Sequence, residues 1–248
     1  MTVRTFALPL ASLLGLLAIW QGLALWAATP ALPNPLEVAQ AFGRETASGR
    51  LPAQLGITLA RLAVSFVLAM SLGTALGILL GRRRTLDRLF DPWLVIFLNV
   101  PALVSIILCY VWLGLGEAAA IAAVVINKLP NVVVTLREGT RALDGDLAEM
   151  AQTYRFGRWK TLRHVIWPQL FPYLMVAARN GLALIWKIIL VVELLGRGNG
   201  MGYQLHLFFQ LFDVAGILAY TAAFVAVIQL LELTLLKPME TRAQCWQR

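Results

Sequence analysis

The sequence predicts an all-α, polytopic membrane protein built as a single bundle of six transmembrane helices. Three observations predict it. Of 248 residues, 59% are hydrophobic and only 14% charged, whereas soluble domains carry about 25% charged residues. Mean hydropathy is +0.74, and six apolar runs reach the ~20 residues that cross a hydrocarbon core. The Lys and Arg residues between those runs fall overwhelmingly on alternate connections, as they do in multi-pass membrane proteins. An amphipathic soluble fold is excluded because the apolar runs are too long and too uniform to leave a polar face.

The runs cover residues 6–28, 55–80, 93–113, 118–136, 171–195 and 217–236. The first also reads as a signal peptide, with Arg4 before it and small residues near Ala28. It exceeds the 7–15 residues of a typical signal core, which favours an uncleaved helix. Pro30, Pro33 and Pro35 then impose extended backbone, and Pro35 to Ala47 reads as a short surface helix. The second run carries Gly73, Gly77 and Gly81, a small-residue row that lets helices approach closely. Gly114 to Glu117 is a tight turn between the third and fourth runs. The segment 196–216 is Gly-rich at first, then aromatic with Phe208, Phe209 and Phe212. Pro168 and Pro172 punctuate the start of the fifth run.

One set of connections holds Arg82, Arg83, Arg84, Arg88, Arg137, Arg141, Arg155, Arg158, Lys160 and Arg163, joined by Arg4, Lys237, Arg242 and Arg248. The other holds only Arg44, Arg50 and Arg197. Both termini are therefore expected in the cytoplasm. The same distribution accounts for the net charge of +8 without a nucleic-acid partner.

The largest inner connection, 137–170, carries the most information. Asp144 to Tyr154 reads DGDLAEMAQTY. Asp144 or Asp146 can cap a short helix whose first turn is acidic. Leu147, Met150, Ala151 and Tyr154 recur at helical spacing and make one apolar face, with Glu149 outside it. A second, basic helix follows from about Arg158 to Ile166. Two readings of this helical hairpin stand open on spacing alone: an interfacial helix lying on lipid, or a docking surface for a partner protein.

The segment EMAQTYRFGRWKTLRHVIWPQLFPYL resembles the EAA loop of ABC-importer permeases. Glu149 and Ala151 stand at the E and final A of that motif, and Ile166 and Pro168 at its Ile-x-Pro positions. One position departs: the family has Gly where Arg155 stands, and the nearest glycine is Gly157. The segments from Thr58 to Pro92 and from Leu98 to Glu117 resemble the nitrate, sulfonate, taurine and bicarbonate permease group. Pro130, Thr135, Gly139, Arg179, Trp186, Glu193, Gly200 and Gly202 match it further along.

The resemblance implies a type I ABC-importer permease fold. It implies a coupling helix in which Leu147, Glu149, Met150, Ala151, Tyr154, Gly157 and Pro168 engage an ATPase subunit. It also implies the partners: a second permease copy, two ATPase subunits that hold ATP and Mg, and a periplasmic or lipid-anchored substrate-binding protein. This chain is expected to bind no cofactor and no nucleic acid, and to sit in the bacterial inner membrane in contact with lipid.

Ionisable groups at membrane depth cost ~2.5–3.5 kcal/mol on insertion scales and are functional candidates by default. Arg61 lies near the outer end of its run and is expected to snorkel to the interface. Arg179 could line the inner pathway or pair with a backbone carbonyl, and Glu193 could close a gate or meet water. Lys128 and Lys187 fall near mid-membrane, where the family has apolar residues. With Arg179, Trp186 and Glu193 they form the candidate substrate pathway, and two lysines there favour an anionic solute. The alternative pairs one of them with Glu193 or an asparagine.

No Gly-x-x-x-x-Gly-Lys-Ser/Thr loop, nucleophile elbow or zinc-binding helix motif is present. Cys109 and Cys245 have no ligand spacing with His164 or His206. The rival readings are an ion-gradient-driven secondary transporter, which needs acidic ion sites at mid-membrane, and a membrane enzyme, which needs a clustered catalytic set.

Overall fold

A computed structural model describes residues 4–236, and these form helices without a strand. Lys237, Arg242, Arg248 and Cys245 lie outside the described residues. The helices are α1 (Arg4–Ala27), α2 (Pro35–Ala47), α3 (Arg50–Arg82), α4 (Arg84–Asn99), α5 (Ala102–Leu113), α6 (Glu117–Arg141), α7 (Gly145–Thr153), α8 (Arg158–Thr161), α9 (Trp167–Gly196), α10 (Met201–Gln210) and α11 (Val214–Leu231). A π-helical turn, Leu162–Ile166, joins α8 to α9, so that Arg158–Gly196 runs as one 39-residue helix.

The centre of the bundle is α3, α6 and α9. The glycine row of α3 explains its closest seam. A β-carbon at Gly73, Gly77 or Gly81 would fall 2.6, 2.7 and 2.6 Å from the Cβ atoms of Val132, Leu136 and Thr140. Only hydrogen side chains permit that approach, as expected for small residues between membrane helices. Leu62, Ile106, Val124, Ile185, Ile189 and Val192 fill the core beside it. Towards the end that carries α7, Arg137 donates to Asp87 at 3.0 Å and to Asp91 at 2.6 Å, tying α6 to α4. Outward-facing apolar side chains are abundant: Val67, Val111, Trp112 and Leu230 are each more than half exposed. In water such a surface would drive aggregation; in a bilayer it meets lipid.

Four helices are long and apolar enough to cross a membrane: Arg50–Arg82, Glu117–Arg141, Arg158–Gly196 and Val214–Thr234. The run expected to span continuously over 93–113 differs. It is divided between α4 and α5, which bend by 99° at their junction. Pro101 is the cause: it has no N–H to give and pushes Val100 into extended backbone, at φ −70° and ψ 124°. Taken as one broken span, the pair makes a fifth. The sixth candidate is α1, whose described apolar part, Ala11–Ala27, is shorter than the four spans.

The surface helix expected over Pro35 to Ala47 forms with those bounds. Asn34 caps it: the Glu37 N–H donates to Asn34 Oδ1 at 2.9 Å, and the Asn34 N–H donates to Glu37 Oε2 at 3.0 Å. Pro35 supplies the first helical turn. It packs on α11, where Tyr220 donates its hydroxyl to Glu45. Pro168 and Pro172 do not interrupt the fifth run. The wide π turn precedes them, the Trp167 N–H reaching back to the Leu162 carbonyl, and Pro168 sits in the first turn after it, where a missing N–H is tolerated.

Candidate translocation cleft and coupling loop

The candidate coupling loop is built from its caps. Asp144 accepts the Asp146 N–H at 2.9 Å and so starts α7. At the other end the Phe156 N–H donates to the Ala151 carbonyl at 2.8 Å, and the Arg155 N–H to the Gln152 carbonyl at 2.9 Å. These two bonds are a Schellman motif, which requires a left-handed residue after the cap. That residue is Arg155, at φ 53°. The position where the resembled motif has glycine thus keeps glycine's backbone conformation although it carries an arginine. Gly157 does not substitute for it: its φ is −64°, and it starts α8.

Ala151 is 2% exposed and holds α7 against the protein, whereas Leu147, Met150 and Tyr154 are 38%, 39% and 72% exposed. Glu149 is exposed beside them. The face is therefore apolar, open and rimmed by a carboxylate. Gln169 connects this loop to the membrane helix: its amide oxygen accepts the Asp144 N–H at 2.8 Å and its amide nitrogen donates to the Val165 carbonyl at 2.8 Å. Pro168 is half-buried beside Gln169.

Lys128 and Lys187 come together. They line one cleft of about 350 Å³ with Asn131, Thr135, Asn180 and Leu184. On α6 the polar residues Lys128, Asn131 and Thr135 follow helical spacing, and on α9 Asn180 and Lys187 share a face with Leu184 between them, so the polar stripe of α6 faces two polar side chains of α9. Lys128 is 2% exposed. Lys187 lies with its ammonium 5.5 Å from the centre of the Trp186 ring. Arg179 and Trp186 line an adjoining hollow of about 130 Å³ that shares Asn180 and Ala183 with the cleft. Arg179 also lies 3.7 Å from Glu232.

Glu193 is elsewhere. It is fully buried in a polar knot at the end of the bundle opposite α7. Arg61 donates to Glu193 at 2.7 Å, to Glu117 at 2.8 and 2.6 Å, and to the Asn199 carbonyl at 3.0 Å. Thr58 donates to Glu193 at 2.9 Å, and the Gly202 N–H at the start of α10 donates to it at 2.9 Å. Arg197 also pairs with Glu117. Arg61 therefore does not snorkel: at 5% exposure it is the hub joining α3, α6, α9 and the loop before α10. The reason is a set of acceptors that arrive from distant parts of the sequence.

Sequence reasoning missed α10, the Asn131, Thr135 and Asn180 stripe, and Glu117 as a buried-arginine partner. The stripe had a signal, since polar residues at helical spacing inside apolar runs are costly to leave unsatisfied. A larger open hollow of about 620 Å³ lies between the α1–α2 connection and the start of α11, away from both the cleft and α7.

Helices that cross a membrane, a polar cleft between two of them and an open amphipathic loop helix at one end define a membrane-embedded permease. Residues 73–236 match the family described as Binding-protein-dependent transport system inner membrane component. Over 191 residues the chain is 35% identical to SsuC of Escherichia coli (strain K12), a permease named for aliphatic sulfonates transport, covering 76% of this chain and 73% of that protein. It is 28% identical over 208 residues to the bicarbonate transport system permease protein CmpB of Synechococcus elongatus, covering 79% and 74%. An amino acid ABC transporter crystallised with histidines shares the fold at a TM-score of 0.65 and 18% identity, covering 81% of this chain and 97% of that one.

The chain belongs to the family of binding-protein-dependent transport system inner membrane components. It is a non-catalytic permease subunit of an ABC importer.

Proposed function

We propose that this chain works as one of two identical copies that together form the pathway of an ATP-driven importer for a small anionic solute. Two ATPase subunits, which hold ATP and Mg, grip the α7 loops. A substrate-binding protein delivers solute to the opposite end, and the Lys and Arg distribution supports placing α7 and both termini in the cytoplasm. The observation that carries this reading is the α7 loop: a helix capped at both ends whose Leu147, Met150 and Tyr154 face is exposed at the end of the bundle rich in arginine.

The mechanism follows from connectivity. Closure of the ATPase subunits on nucleotide displaces α7. Gln169 ties the α7 N-cap to the start of α9, and α9 continues without a break to the cleft and to Glu193. The polar knot makes α3, α6, α9 and α10 move together at the far end. Such a body has two packed arrangements rather than a continuum, and nucleotide biases which is populated. The anionic solute suits the cleft, where Lys128 and Lys187 stand without a carboxylate among the lining residues.

The test is affinity purification of the tagged chain in mild detergent from its native host, wild type beside Glu149→Arg. The reading expects an ATPase subunit with the wild type and its loss or weakening in the variant. A wild-type chain that purifies with no ATPase would contradict it.

A further inference from the structure

Lys128 is a charged side chain almost wholly buried in the middle of the bundle, with only its cleft-lining tip left open. It is 2% exposed, and its ammonium makes no hydrogen bond or ion pair with any described residue. Its stem is held in the seam between α6, α9 and α3: a β-carbon on Gly181 would fall 3.1 Å from Lys128 Cε and 3.4 Å from Phe66. A buried ammonium is normally paired, because removing it from water is costly unless another group replaces the lost solvation. Here no described residue supplies such a group.

The cleft that Lys128 lines shows what would. The helices α6 and α9 run antiparallel, as the pairing of Glu117 with Arg197 at one end and the packing of Gly139 on Tyr173 at the other show. Lys128 and Lys187 therefore lie at similar depth. Asn131 and Asn180 come next towards α7, and then Thr135. Asn131 and Thr135 bond back to the carbonyls of Asn127 and Asn131 within α6. Neither hydrogen bond nor ion pair occupies Asn180. The lining contains two cations, two amides and no carboxylate. The nearest acidic group in the adjoining hollow is Glu232, which is already opposite Arg179.

We propose that this cleft is a selectivity site for an oxyanion that carries no positive group of its own. It rests on the importer reading above and deepens it. The Lys128 and Lys187 ammoniums hold the charged oxygens, with Asn180 as a further donor, since charge-assisted hydrogen bonds from both sides are the strongest available here. An aminosulfonate such as taurine would place an ammonium among two lysines, with no carboxylate in the lining to receive it. A plain alkyl sulfonate meets only donors. The site therefore separates two solutes of nearly the same size and shape by an unpaired like charge.

The experiment uses the permease with its copurified ATPase subunits in lipid nanodiscs. Binding of radiolabelled ethanesulfonate is measured at equilibrium, with unlabelled taurine and ethanesulfonate as competitors. Saturable binding is expected, with taurine competing at least about tenfold less well than ethanesulfonate, and Lys128→Met and Lys187→Met each weakening binding by about tenfold or more. Lys187→Arg should retain binding within a few-fold. Gly181→Ala, which keeps both lysines but crowds the Lys128 stem, should also weaken it. Wild-type complex that does not bind ethanesulfonate, lysine variants that bind it as wild type does, or taurine competing equally would each overturn the proposal. Variants are compared only where the ATPase copurifies as with wild type, so a fold defect is not read as lost binding. A wild-type chain that brings down no ATPase would instead sink the importer reading and this inference with it.

Discussion

Arg155 and Arg61 are the residues whose roles depend most on structure. Arg155 holds a left-handed backbone that costs an L-residue with a β-carbon about 1 kcal/mol relative to glycine. Arg155→Gly should therefore stabilise the coupling loop by about 1 kcal/mol, seen as slower amide hydrogen exchange over 145–156. Unchanged exchange would show that the Schellman turn is not strained. Arg61→Met leaves the Glu193 carboxylate fully buried without its cation. A loss of ~3–5 kcal/mol is expected for breaking a buried pair from one side, read as a lower melting temperature in detergent. A variant as stable as wild type would mean that Glu193 is not held as a buried ion. Lys128 was legible in the sequence because a lysine inside an apolar run has no ordinary explanation. Arg61 was visible in the same way but its role was not, because Glu117, Glu193 and Asn199 reach it across 56, 132 and 138 residues.

Among the elements, the α3–α6 seam was legible and the α4–α5 bend was not. The four-residue glycine spacing on α3 states close packing directly, and Val132, Leu136 and Thr140 are the partners it meets. Gly77→Leu should force the seam apart, costing about 1–3 kcal/mol or more, and be seen as aggregation on gel filtration in detergent; a monodisperse, wild-type-like profile would contradict the seam. Pro101 was present in the sequence but hydropathy alone carried 93–113 through it. Proline breaks of this kind are read from the residue before it, Val100, rather than from the apolar count. The opposite error concerns Pro168, where a π turn lets the helix run on. Helix α10 escaped notice because its ten residues are too short to span and follow a glycine cluster that reads as a loop. At the coupling end, Gln169→Leu removes the bond between the α7 N-cap and α9. ATP hydrolysis in the assembled importer should persist while solute uptake per ATP falls; a variant with unchanged uptake per ATP would show that force passes by another route.

For the whole molecule, composition and charge placement carried the class, and the loop motif carried the family. The proposed arrangement of sides rests on arginine counts in connections, whereas the cleft follows from the register of α6 against α9, which no single run of sequence displays. The account joins three parts through α9: a proposed docking face at α7, a cleft with two lysines and a buried ionic knot at the far end. Its central claim is that nucleotide on partner subunits, and not an ion gradient, moves solute through this cleft. The most direct measurement is uptake into proteoliposomes that contain the permease, its ATPase and its binding protein, with radiolabelled ethanesulfonate, nitrate and bicarbonate tested in parallel. The account predicts accumulation of at least one of them that requires ATP and the binding protein and persists when ionophores abolish all ion gradients. Accumulation by the permease alone, without ATP and collapsing with the gradients, would contradict it and identify a secondary transporter.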